Sequence, residues 1–178
     1  MKSIHMKRWV TAALAVTIIG GFAFSQEAAA ASKGMLCGMP NPITTYDTYG
    51  EAASVAHFRP LYLPMATGYD CHSVSLIDKT VADLRFVKRS DQQVSLRVRT
   101  AQKSANLGTD ISGVYSVTWQ DKLIDGHSVS LATIKQNSYV AHWQQGTYLF
   151  SAEGENMSYT EFIDILRDGL VDMSEHYY

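Results

Sequence analysis

The chain has 178 residues, of which 46% are hydrophobic and 18% charged, and its formal net charge is −2. That is long enough for one ordinary domain with a real core and short for two. A near-neutral, slightly acidic balance does not suggest a nucleic-acid-binding protein.

The N-terminus reads as a leader. Lys2, Lys7 and Arg8 form a basic start, and Val10 to Phe24 follows as an apolar run of about 15 residues, the length of a signal-peptide core. A membrane-spanning helix needs about 20. Small residues at Ala28–Ala31 supply a cleavage site, so residues 1–31 are expected to be a signal peptide and the protein to be exported. The leader takes three basic residues and Glu27 with it. Twelve basic residues then face sixteen acidic ones, a net charge of −4, and no membrane span remains in the mature chain. The expected location is periplasmic, cell-envelope or secreted.

Residues 32–45 are rich in Gly, Pro and Ser and read as an irregular segment. A single domain is expected over residues 46–178. Asp47 or Thr48 can cap a short helix built on Ala52, Ala53, Val55 and Ala56. Pro60 and Pro64 bracket an extended piece, and Gly68 marks a turn.

From Tyr69 the hydrophobic period becomes two. Val74 and Leu76, then Leu84 and Phe86, then Val94, Leu96 and Val98 alternate with polar residues, with turns at Asp78-Lys79 and Arg89-Ser90-Asp91. Ala101 to Gly113 reads as a loop. Val117 and Trp119 start a further strand, Asp125-Gly126 is a hairpin signal, and Val129 and Leu131 follow. Asn137-Ser138 and Gln145-Gly146 turn the chain through Tyr139–Gln144 and Thr147–Ala152. Glu153-Gly154-Glu155-Asn156 is read as the connection to a last helix. Ser158-Tyr159-Thr160-Glu161 matches a capping box. Phe162, Ile163, Leu166 and Leu170 then recur at helical spacing, with Asp164, Arg167 and Asp168 on the other side.

The fold class expected is α+β: an antiparallel meander of about seven strands, with a short N-terminal helix and a C-terminal amphipathic helix on one face. The predicted core is Leu84, Phe86, Val94, Leu96, Val98, Val117, Trp119, Val129, Leu131, Trp143, Phe150, Phe162 and Leu166.

Cys37 and Cys71 form a disulfide candidate in an exported chain. The bridge would close a loop of about 35 residues, worth roughly 3–4 kcal/mol in a chain-entropy account. Cys71 next to His72 could instead form a nucleophile pair. No histidine shows metal-ligand spacing, and no phosphate-cradling or nucleophile-elbow motif occurs. No cofactor, metal or catalytic residue is therefore assigned.

Charge is unevenly distributed. Residues 79–103 hold seven Lys/Arg and two Asp, whereas residues 153–178 hold seven acids and one Arg. Strand alternation places Arg97 and Arg99 on one face, with Arg85 beside them across a turn. These three are the candidate binding residues, for an anionic envelope polymer or an acidic protein surface. Internal ion pairing is the plainer reading of the same residues.

Two segments resemble a known family. TYDTYGEAASVAHFRPLYLPMATGY contains an L-P-x-x-x-G-Y run at Leu63, Pro64, Gly68 and Tyr69. The chain closes on a G-x-x-M-S-x-x-E run at Gly154, Met157, Ser158 and Glu161. Both resemble a bacterial extracytoplasmic domain of unknown function. That family often forms the outer part of anti-sigma-factor-like membrane proteins, or stands alone in secreted ones. The resemblance implies an α+β domain with an antiparallel sheet and brings no catalytic residues. This chain lacks the cytoplasmic zinc-binding segment and second hydrophobic run of the membrane form.

The function expected is that of an exported, non-catalytic binding or envelope-sensing domain. One alternative is a cell-envelope hydrolase with His142 and Glu153 or Glu155 in a cleft. Another is a structural or assembly subunit, for which a large exposed apolar patch would be the sign.

Overall fold

A computed structural model describes residues 42–104 and 106–178. The expected leader and Cys37 lie outside the described residues. Among the described residues, no helix is long and apolar enough to cross a membrane.

Eight antiparallel strands form one sheet: β1 (Ile43–Tyr46), β2 (Tyr69–Ile77), β3 (Val81–Lys88), β4 (Asp91–Gln102), β5 (Gln120–Ile124), β6 (His127–Lys135), β7 (Ser138–Gln145) and β8 (Tyr148–Glu155). Their spatial order is β1-β2-β3-β4-β8-β7-β6-β5. The sheet is thus two four-strand meanders joined where β4 pairs with β8. The connection from β4 crosses to the far edge, where β5 begins the second meander.

The hairpins follow from local chemistry. Asp125 and Gly126 both have positive φ, 52° and 84°, as do Asp78 and Lys79, 49° and 58°. Turns of that handedness match the right-handed twist of the strands they join.

The strand count differs from expectation at β1. Residues 43–46 fall where the sequence predicts an irregular or pre-helical segment, yet they pair in register with Val74–Ile77. Three of the four β1 residues are exposed, so no alternation marks the strand. The open edge of β2 defines it.

Thr48 caps α1 (Tyr49–Ala56) through a full capping box: its hydroxyl accepts from Glu51 N–H, and Glu51 Oε2 accepts from Thr48 N–H, both at 3.2 Å. The last helix runs as α2 (Tyr159–Ile165), a wider π turn over Leu166–Val171, and α3 (Asp172–Tyr177). It buries Phe162, Ile165, Leu166, Leu170 and Val171 against one sheet face. Trp143 Nε1 donates to Ser174 Oγ at 2.9 Å, and that hydroxyl donates to Val171 O at 2.7 Å, anchoring the helix end to β7.

The predicted core is buried except at Val117 and Trp119, which stay partly exposed. The cause is that the chain does not join the ladder until Gln120, opposite Leu131. Trp119 turns instead onto His142, with the ring centroids 4.5 Å apart. A second apolar cluster of Val81, Ala101, Ile111 and Leu149 forms on the other sheet face, under the long connection.

Candidate functional site

On the face opposite the last helix, alternation and register line up polar side chains across four strands. Arg85 of β3 stands opposite Ser73 of β2 and Arg97 of β4. Asp83 stands opposite Arg99, and Arg97 opposite Glu153 of β8. The sheet therefore brings Arg85, Arg97 and Arg99 together as the alternation predicted, but it brings acids with them.

Those acids decide the electrostatics. Arg97 Nη1 lies 2.8 Å from Glu153 Oε2, and its Nε lies 3.7 Å from Asp83 Oδ1. Arg99 Nε donates to Asp83 Oδ2 at 2.9 Å, and its Nη1 donates to the carbonyls of Ile111 and Ser112. A Cβ at Gly113 would stand 2.8 Å from Arg99 Nη1, so this glycine is what lets the long connection close over the guanidinium. With side chains only 14% and 9% exposed, Arg99 and Asp83 form a largely desolvated pair. Arg85 differs: it is exposed and has no ion pair among the described residues. Like charges directly opposite on neighbouring strands repel, and Arg97 has its acid while Arg85 has none.

Glu153 and Glu155 are not in a flexible connection, as expected, but in β8. The reason is the length of β4, which offers Arg97 and Ser95 as partners beyond the predicted strand end. They line a small cavity of about 40 Å³ with Arg85, Ser95 and Arg97. His142 lies on the same sheet face but packs edge-on against Trp119 and does not line that cavity.

Cys71 is a free thiol in the structure, and Cys37, its expected partner, lies outside the described residues. The thiol donates to Ser73 O at 3.7 Å, across an irregularity in the β2–β3 register between Cys71 and Ser73. Burial pushes the thiol pKa up, although hydrogen bonds with Tyr62 and the Ser73 backbone pull the other way. A raised pKa disfavours the thiolate that a Cys–His nucleophile pair requires.

Sequence patterns single out a second place without revealing its geometry. Tyr69, at the end of the L-P-x-x-x-G-Y run, donates its hydroxyl to Glu161 Oε1 at 2.8 Å. Lys88 Nζ reaches the same oxygen at 2.7 Å. Ser158 still caps α2, accepting from Glu161 N–H at 3.1 Å. The Glu161 carboxylate does not complete the box, because Tyr69 and Lys88 hold it. Burial pushes the Glu161 carboxyl up, but those two hydrogen bonds outweigh it and hold it below the ordinary carboxylate value. Burial, then the bond to Glu161, pushes the Tyr69 hydroxyl well up. Gly154 lies beneath: a Cβ there would stand 2.6 Å from Met157 Sδ and 2.9 Å from Phe162 Cδ2. The two sequence runs, some 90 residues apart, thus meet in space and line one side of an acidic cleft of about 560 Å³, with Asp164 and Asp168 on its helical wall. Among the described residues, no group of three or more His, Cys, Asp or Glu is placed to hold a metal ion.

No curated protein and no solved structure matches the chain. Residues 57–168 match the family model described as a domain of unknown function (DUF4367), and the match takes in both runs. That is more than half of the chain, which therefore belongs to this family.

Proposed function

We propose that this chain is an exported, non-catalytic binding or envelope-sensing domain that recognises an anionic partner across the open face of its sheet, with Arg85 as the leading contact. The observation that carries the reading is the position of Arg85: exposed, directly opposite Arg97, and without a carboxylate of its own among the described residues. An anionic group seated there would relieve the opposition of two guanidinium ions and could accept hydrogen bonds from Arg85 in a forked geometry. Arg97 and Arg99 serve mainly to neutralise Glu153 and Asp83, which holds the face in shape. The basic-then-apolar leader pattern supports export.

The test is Arg85→Glu, because reversing Arg97 would place a third carboxylate beside Asp83 and Glu153 and disturb the fold. Retention of the full chain on an immobilised polyphosphate matrix, and capture of partners from envelope extracts, are measured at low and high salt. The expected result is retention that falls with salt and is lost in Arg85→Glu, with an unchanged unfolding midpoint. Equal retention of the variant removes Arg85 from the site, and binding that survives both salt and the mutation moves recognition to an apolar surface.

A further inference from the structure

The far edge of the sheet is incomplete. β5 covers β6 only as far as Leu131, which faces Gln120. Beyond it, Ala132, Thr133 and Lys135 pair with β7 on one side, with a register irregularity at Ile134, and no strand lies on the other side among the described residues. The chain could have continued β5 along this edge, but residues 116–119 leave it, with Trp119 packed on His142. A groove of about 530 Å³ remains, lined by Ser116 and Thr118 from the departing segment and by Thr133 and Ile134 of β6.

Its chemistry is specific. A strand edge offers backbone N–H and C=O groups in the pattern that another extended chain completes. Successive residues turn their backbone groups to opposite edges, so in this stretch of about 13 Å Thr133 is the residue that offers its N–H and C=O outward before the irregularity. Protective charges stand on β5, where Asp121 and Lys122 are exposed, whereas Thr133 and Ile134 in the open stretch are uncharged and β-branched. At the mouth of the groove Lys122 Nζ donates to Tyr159 Oη at 2.8 Å and lies 5.2 Å from that ring's centroid. No carboxylate neutralises Lys122 among the described residues. The register irregularity between Thr133 and Lys135 marks the far end of the notch.

We infer that this notch binds an extended, acidic peptide segment of a partner protein, which adds as a short antiparallel strand to β6 with a carboxylate at Lys122. The backbone ladder supplies the attachment, and Lys122 selects the charge. The notch lies four strands, about 19 Å, from Arg85, so the two sites fail or stand independently.

The probe is a fluorescein-labelled octapeptide of alternating valine and glutamate, titrated against the full chain by anisotropy, with amide exchange followed at Thr133. The expected result is saturable binding that slows exchange at this amide. It weakens on the order of tenfold when alternate peptide amides are N-methylated, and similarly in Lys122→Glu, since each change removes a hydrogen bond or a charge partner. Arg85→Glu leaves it unchanged. Thr133→Pro removes a backbone donor, and Thr133→Asp, on an exposed side chain, keeps the fold but repels the acidic peptide. No saturable binding, equal binding of the N-methylated peptide, or unslowed exchange overturns the inference. So does concentration-dependent dimerisation of the chain that the octapeptide disperses, which would make the occupant a second copy.

Discussion

Two tetrapeptides in this chain carry the same helix-start pattern, Thr48-Tyr49-Gly50-Glu51 before α1 and Ser158-Tyr159-Thr160-Glu161 before α2. In both, the hydroxyl accepts from the backbone N–H three residues on. Only the first closes the box with its carboxylate. The second sends its carboxylate to Lys88 and Tyr69, residues from β3 and β2. The hydroxyl is short and can reach only its own turn. The carboxylate is long enough to choose, and it goes to the partners with more to offer: a charged donor and a buried phenol. A local motif therefore predicts the helix start in both places and predicts the fate of its acid in only one.

The comparison can be broken most directly by removing the acids. Glu161→Ala leaves the Lys88 ammonium and the Tyr69 hydroxyl without their partner, and it should cost about 2–3 kcal/mol in urea unfolding. Glu51→Ala, on an exposed helix start, should cost only about 0.5 kcal/mol. Equal losses would mean that the tertiary contacts of Glu161 add nothing. A smaller effect sharpens the contrast. The two hydroxyl caps do the same job, so Ser158→Ala and Thr48→Ala should each cost about 1 kcal/mol. Circular-dichroism melts that separate them widely would show that one cap is also a tertiary contact.

The smallest effect is in pH. The folded Glu161 carboxyl titrates below its ordinary value of 4.5, so between the two values the unfolded chain binds more protons than the folded one. Stability from this group is full above the unfolded value and is lost as pH falls through the folded one. Glu161→Gln should flatten that acid limb in a stability–pH profile. An unchanged limb in Glu161→Gln would assign the acid sensitivity to other carboxylates.

Much of the fold was legible locally. Leu84, Phe86, Leu96 and Val98 alternate with polar neighbours and are all buried on the helix side, because a strand with one covered face must read with period two. Asp125-Gly126 declares its turn by the backbone conformation that those residues tolerate. Trp119 misled for a physical reason: it alternates correctly, yet its segment leaves the sheet edge and its ring finds His142. Strand alternation puts the arginines on one face, but nothing local pairs them with Asp83 and Glu153. Glu153 looked like loop because nothing near it in sequence reveals that β4 extends far enough to pair with it.

By itself, then, the amino-acid sequence determined the alternating strands, their turns, the Ser158 cap and the apolar stripe of the last helix, all of which are set by neighbours within a few residues. Tertiary structure alone decided that β8 would insert beside β4, that Arg97 and Arg99 would be neutralised while Arg85 would not, that Glu161 would leave its box for Tyr69 and Lys88, and that β6 would keep an open edge. Each of these depends on which strand lies beside which, and that pairing is chosen by burial summed over the whole sheet rather than by any one stretch of chain.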